Sequence, residues 1–118
     1  MQESLCYIYQ DYKGKYDRVI SDYNRALEIN PRYVKVYVNR GAAYTDKGDL
    51  DRAISDFNRA LEINPRYAEA YFNKALACEE AGRIKEAIEA YKGFIKYAPP
   101  QYYSYIEYTK QRIESLSE

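Results

Sequence analysis

Apolar residues along the chain recur at helical spacing, and short polar breaks interrupt them at regular intervals. Between Asp17 and Ile29, the residues Ile20, Tyr23 and Leu27 fall at i, i+3 and i+7 and share one face of a helix. Upstream, Leu5, Ile8, Tyr9 and Tyr12 repeat the helical interval, which predicts a helix over Gln2–Lys13 ended by Gly14. Asn30-Pro31 and Asn64-Pro65 are stops, because proline cannot continue the hydrogen-bond ladder and disfavours helix in the residue before it. The remaining helices are predicted at Val34–Lys47, Leu50–Ile63, Ala68–Ala81 and Ile84–Tyr97. A last one runs from Pro100 to about Leu116, opened by proline in its first turn. The pattern is all-α.

The helices come in copies. Asp51–Tyr67 reads DRAISDFNRALEINPRY and Asp17–Tyr33 reads DRVISDYNRALEINPRY; they differ only in Val19 against Ala53 and Tyr23 against Phe57. The offset is 34 residues, and a further step reaches Lys85–Gln101 with Ala87, Ile88, Tyr91 and Pro99 in register. Gly14, Gly48 and Gly82 fall on the same period. A fixed period of this length marks an array of helical hairpins, each burying its apolar face on its neighbour.

In the middle repeat, Tyr37-x-x-Arg40-Gly41-x-x-Tyr44 precedes Ala53-x-x-x-Phe57 and Pro65. In the third, Tyr71-x-x-Lys74-Ala75-x-x-Cys78 precedes Ala87-x-x-x-Tyr91 and Pro99. The first reads Glu3-x-x-Cys6-Tyr7-x-x-Gln10, Val19-x-x-x-Tyr23 and Pro31, and fits only in its second half. On these residues the chain resembles the tetratricopeptide repeat family. The resemblance implies a right-handed α-solenoid of three helix–turn–helix hairpins with a C-terminal capping helix. The divisions would be one domain over 1–118, with repeats at 1–33, 34–67 and 68–101 and the cap at 102–117. Two departures stand out. Tyr7 occupies a position where the family has Gly or Ala, so that two helices approach closely, and a tyrosine there is expected to prop the pair apart or turn outward. Gly93-Phe94 replaces the Arg-Ala of the other repeats, which forces the capping helix to sit differently.

Composition narrows the function. The chain has 118 residues, 47% of them hydrophobic, so a packed core is within reach. Its 18 basic and 18 acidic residues balance and form no lopsided block, which argues against nucleic acid or an anionic membrane as partner. No apolar run approaches the roughly 20 residues of a membrane span. The opening MQESLCYIY lacks the basic and long apolar regions of a secretory signal, so a cytoplasmic location is expected. With no histidine, no nucleophile elbow, no phosphate-binding glycine loop and no paired metal ligands, neither catalysis nor a cofactor is expected. Cys6 and Cys78 fall on helix-interface positions and read as small buried hydrophobes. Most of the 16 tyrosines read as interface packing with a wet hydroxyl, and Tyr102, Tyr105 and Tyr108 with Ile106 and Ile113 as the lid of the third repeat.

What remains is recognition of another protein. The resemblance implies a concave groove lined by the first helix of each repeat, taking an extended or helical partner segment. Its positions here are Ser4, Leu5 and Ile8 in the first repeat. The second supplies Lys35, Val38, Asn39, Ala42, Thr45 and Asp46, and the third Glu69, Phe72, Asn73, Leu76, Glu79 and Glu80. Val38 and Phe72 are the expected exposed apolar anchors and Asn39 and Asn73 the backbone-binding amides. Four acids against Lys35 predict a negative field and a partner segment that is basic and apolar. One branch of the family grips chaperone tails with a five-residue carboxylate clamp. Only Asn39 of that clamp is present, the other places being Ser4, Ile8, Glu69 and Asn73, and Glu69 repels a carboxylate. The alternative function is self-assembly into homo-oligomers through the atypical first helix.

Overall fold

The computed structural model describes the backbone from Gln2 to Glu118 and the side chains from Gly14 onward. Six α-helices follow one another: α1 (Gln2–Ile29), α2 (Val34–Lys47), α3 (Leu50–Ile63), α4 (Ala68–Glu80), α5 (Ile84–Tyr97) and α6 (Tyr103–Leu116). A single 3-10 turn, Pro100–Tyr102, leads into α6. They stack as an α-solenoid in which α2–α3 and α4–α5 are closed hairpins.

The breaks between helices are built locally. After each Asn-Pro stop the asparagine side chain accepts from the backbone two residues on: Arg32 N–H to Asn30 Oδ1 at 3.2 Å, and Arg66 N–H to Asn64 Oδ1 at 3.1 Å. Tyr37 and Tyr71 then donate their hydroxyls to the carbonyls of Pro31 and Pro65 at 3.0 and 2.9 Å, which pins each following helix to the turn. Inside the hairpins, Gly48 and Gly82 adopt φ of 92° and 77°, the left-handed conformation that ends a helix without a Cβ penalty. The N–H of Asp49 closes back on Tyr44 O at 2.9 Å, and that of Arg83 on Cys78 O at 2.8 Å.

The third glycine on the period behaves differently. Gly14 lies inside α1, a continuous helix of 28 residues, so the expected turn after Lys13 and the first hairpin are absent. The closed hairpins show why. In α2–α3 the two helices touch at Gly41, where a Cβ would stand 2.6 Å from the Phe57 ring. Ala75 packs on Tyr91 in the same way in α4–α5. The first repeat pairs Tyr7 with Tyr23, which leaves no room for such an approach. It also has Lys15 where Asp49 caps α3 by accepting from Arg52 N–H. With neither close packing nor cap to reward a turn, the helix runs on.

The core lies between the hairpins. Ala53, Phe57, Ala60, Ala70, Ala77, Cys78 and Ala87 are fully buried, the alanines letting helix axes approach. Burial also pushes the Cys78 thiol up, so it is an inert packing residue as expected. Cys6, Tyr7, Ser4, Leu5 and Ile8 lie outside the residues whose side chains are described. Among the described residues no helix is long and apolar enough to cross a membrane.

Candidate functional site

Phe94 and Gly93 shape the third repeat's open side. Phe94 stands where Ala60 sits one repeat earlier, and its ring takes up the space that would let α6 close on α4. No Cα of α6 comes within 8 Å of one in α4, although α2 and α4 do approach that closely. Gly93 has its own reason: a Cβ there would fall inside the Tyr71 ring. The bare backbone lets Tyr71 lie against α5 and stack on Tyr97, with centroids 5.8 Å apart and planes 19° from parallel. The cost of roughly 1 kcal/mol for a mid-helix glycine is thus offset by a contact that alanine would obstruct.

The wedge leaves a cleft of about 570 Å³ between the start of α4, the end of α5 and the start of α6. Tyr67, Phe72, Phe94, Tyr97, Tyr102 and Tyr105 form its walls, with Pro99 at the turn and Arg66, Glu69 and Asn73 supplying polar groups. Phe72 is the hub. Its centroid lies 5.1 Å from Phe94, 5.7 Å from Tyr105, 6.1 Å from Tyr91 and 6.4 Å from Tyr108, mostly edge to face. Burial, and next the Glu69 charge, push the Tyr67 phenol up, so it stays a neutral donor beside a carboxylate. The site is an aromatic slot with one acid, one amide and one guanidinium at its mouth.

The sequence-predicted residues divide. Glu69, Phe72 and Asn73 come together in this cleft. Leu76 joins Phe72, Ser104, Tyr105 and Tyr108 in a smaller adjoining hollow of about 370 Å³. Asn39 and Ala42 stay partly exposed, and Asp46 and Glu80 exposed, but none of them lines the cleft. Thr45 turns its hydroxyl back to Gly41 O at 2.9 Å. Two expectations fail. Val38 is only 1% exposed and belongs to the core cluster that α2 forms with α3, α4 and α5, so it offers no surface for a ligand. Glu79 is no free groove acid: it accepts from Arg112 Nε at 2.7 Å and from the Tyr91 hydroxyl. Burial alone would push the Glu79 carboxyl up, but those hydrogen bonds and the Arg112 charge outweigh it and hold the carboxyl below its ordinary range. Burial, and next the hydrogen bond to Glu79, push the Tyr91 phenol up. The pair ties α6 to α4 and α5.

Of the expected lid residues, Ile113 is partly buried against α5 and Tyr105 and Tyr108 meet the Phe72 ring, but Tyr102, Tyr105 and Tyr108 stay 42%, 54% and 48% exposed, and buried Thr109 and partly buried Leu116 add to the seal. The sequence reading took most tyrosines, Tyr102 and Tyr105 among them, as packing and gave Tyr67, Tyr97, Arg66 and Pro99 no part in a site. The one available signal was Gly93-Phe94, the place where the period breaks.

Family models described as tetratricopeptide repeat or TPR repeat match residues 12–48, 34–67 and 57–89. No curated protein matches the sequence. Among solved structures, the Sgt2 TPR domain from Aspergillus fumigatus is 30% identical with a TM-score of 0.73, over 88% of this chain and 72% of that one. The TPR domain of Arabidopsis OM64 is 26% identical with a TM-score of 0.77, over 88% and 85%. The first TPR of Spaghetti (RPAP3), solved bound to the HSP90 peptide SRMEEVD, is 24% identical with a TM-score of 0.73, over 96% and 89%.

Proposed function

Because the chain belongs to the tetratricopeptide repeat family, we propose that it is a non-catalytic interaction module. Its concave face takes a peptide segment of a partner protein, anchored in the Phe72 cleft. The observation that carries this is the cleft itself: six aromatic rings, two of them well exposed and three partly so, around a hollow sized for one or two side chains. Exposed aromatic area of this density is found where a partner covers it. Asn73 can both donate to and accept from a peptide backbone, and Glu69 at the mouth selects a basic neighbour to the anchor. The acidic tail bound by the Spaghetti domain is a poor ligand for this chain, since Glu69 and Asn73 stand at two places of the carboxylate clamp.

Titration against a peptide array that varies one apolar anchor and its flanking charge tests the reading. Anchored peptides with a flanking Lys or Arg are expected to bind best. Tyr102→Ala, which removes a wall without touching the α6 seal, is expected to cost about 1–2 kcal/mol, and Phe72→Ala about 2 kcal/mol or more. Glu69→Lys is expected to reverse the charge preference. Equal binding of acidic peptides, or affinity undiminished in both aromatic variants, would place the ligand on another face.

A further inference from the structure

Asp17–Tyr33 and Asp51–Tyr67 are two copies of one segment in two environments, which makes the molecule its own control. In α3 the copy buries Ala53, Phe57 and Ala60 completely and leaves Asp56 only 5% exposed. In α1 the matching Val19, Tyr23 and Ala26 are partly exposed and Asp22 is exposed. α2 makes the difference, because it covers that face of α3. Arg40 donates to Asp56 through Nε at 2.8 Å and Nη2 at 2.6 Å, and Gly41 sits on the Phe57 ring. Among the described residues no helix covers the same strip on α1 as α2 covers α3, since the residues that would form its partner helix continue α1 itself. The strip of α1 that adjoins it on the Tyr23 side is occupied: Ile20 and Leu27 are buried there, and Asn24 accepts from Arg40 Nη1 at 2.9 Å. Among the described residues Asp22 has no ion-pair partner.

We propose that the Val19–Asp22–Tyr23–Ala26 face of α1 is a second docking site, which takes a helix of a partner protein. The two closed hairpins specify that helix. From α2–α3 it carries an arginine against Asp22, followed by glycine or alanine over the Tyr23 ring. From α4–α5, where the tyrosine hydroxyl of Tyr91 donates to Glu79 four residues beyond Ala75, it carries a glutamate at the matching place for the Tyr23 hydroxyl. The motif is Arg-(Gly or Ala)-x-x-x-Glu. A second copy of this chain does not supply it. Arg40-Gly41 and Lys74-Ala75 are already seated on α3 and α5, and the upstream residues at the matching positions are Cys6-Tyr7.

A lactam-bridged helical peptide with the sequence of Val34–Lys47, but glutamate in place of Thr45, is the probe, read by fluorescence anisotropy with the full chain. It is expected to bind, and replacing its arginine by alanine should weaken binding at least about tenfold. Asp22→Asn in the protein should erase the difference between the two peptides, while Tyr23→Phe should erase the preference for glutamate over the original threonine. Both substituted side chains lie on an uncovered face, so the fold is expected to be kept, with circular dichroism as the check. No binding, binding indifferent to Asp22, or a concentration-dependent dimer that Asp22→Asn dissolves would each overturn the proposal. The second would mean that the peptide displaces α2 from α3, and the third that another copy covers the face.

Discussion

Two charged side chains hold more of this molecule together than their number suggests. Arg40 links three helices through Asp56 and Asn24, and its guanidinium lies 5.6 and 5.9 Å from the rings of Tyr37 and Tyr44. Glu79 does the same at the other end, joining α4 to Tyr91 on α5 and Arg112 on α6. The folded-state pKa of Glu79 lies below its ordinary value, so its charge contributes stability above the usual carboxylate range. That contribution is lost as the pH falls through the depressed value. Urea denaturation of the protein and of Glu79→Gln should therefore show a gap that is full at neutral pH and closes in acid, below about pH 4. A gap independent of pH would mean that the carboxylate charge contributes nothing to the contact.

At the scale of elements, the unusual one is α1. Its second half is nearly identical to α3, so its different behaviour comes from what precedes it. Restoring the residues that the closed hairpin uses, by Tyr7→Gly with Lys15→Asp, should let the chain turn at Gly14 and form the missing hairpin. Spin labels at positions 3 and 28 report the change. In a continuous helix, 25 steps of roughly 1.5 Å put them about 37 Å apart, whereas packed antiparallel helices bring the axes to about 10 Å. An unchanged distance in the double variant would show that Cys6 and Gln10 also resist closure. The same variant should cover the Asp22 face and abolish binding of the arginine peptide there.

Across the whole molecule, charge is balanced in total but not in place. With Glu79 neutralised by Arg112, the acids left to the concave side are Asp46, Glu69 and Glu80, against Lys35. Counting Arg66 at the cleft mouth, three exposed acids against two exposed bases is a smaller excess than the four to one read from the sequence. A basic partner peptide should therefore associate more slowly as salt rises, and Asp46→Lys with Glu80→Lys should lower the association rate and flatten that salt dependence. Neither residue lines the cleft, so the dissociation rate should change little; stopped-flow at several ionic strengths separates the two. A loss carried by the dissociation rate would put these acids in direct contact with the peptide.

The sequence by itself determined the parts that obey local rules. The 34-residue period, the Asn-Pro stops and the glycine ends put three helices at Val34–Lys47, Leu50–Ile63 and Ile84–Tyr97, the bounds that the structure has, and α4 one residue shorter than expected. Those signals are legible because a stop acts on residues within one turn of itself. Phe72, Asn73 and Glu69 were legible too, since the period assigns each position a face. Tertiary structure alone decided the rest. Whether Gly14 turns depends on how Tyr7 meets Tyr23, and a turn residue can permit a hairpin but cannot enforce one. Val38 is hidden because residues of neighbouring helices close a core around it, and Glu79 is paired with Arg112, 33 residues away. The cleft exists because Phe94 is too large for the place an alanine fills one repeat earlier. Each of these is a meeting of side chains from different helices, and a pattern read along one helix does not contain its partner.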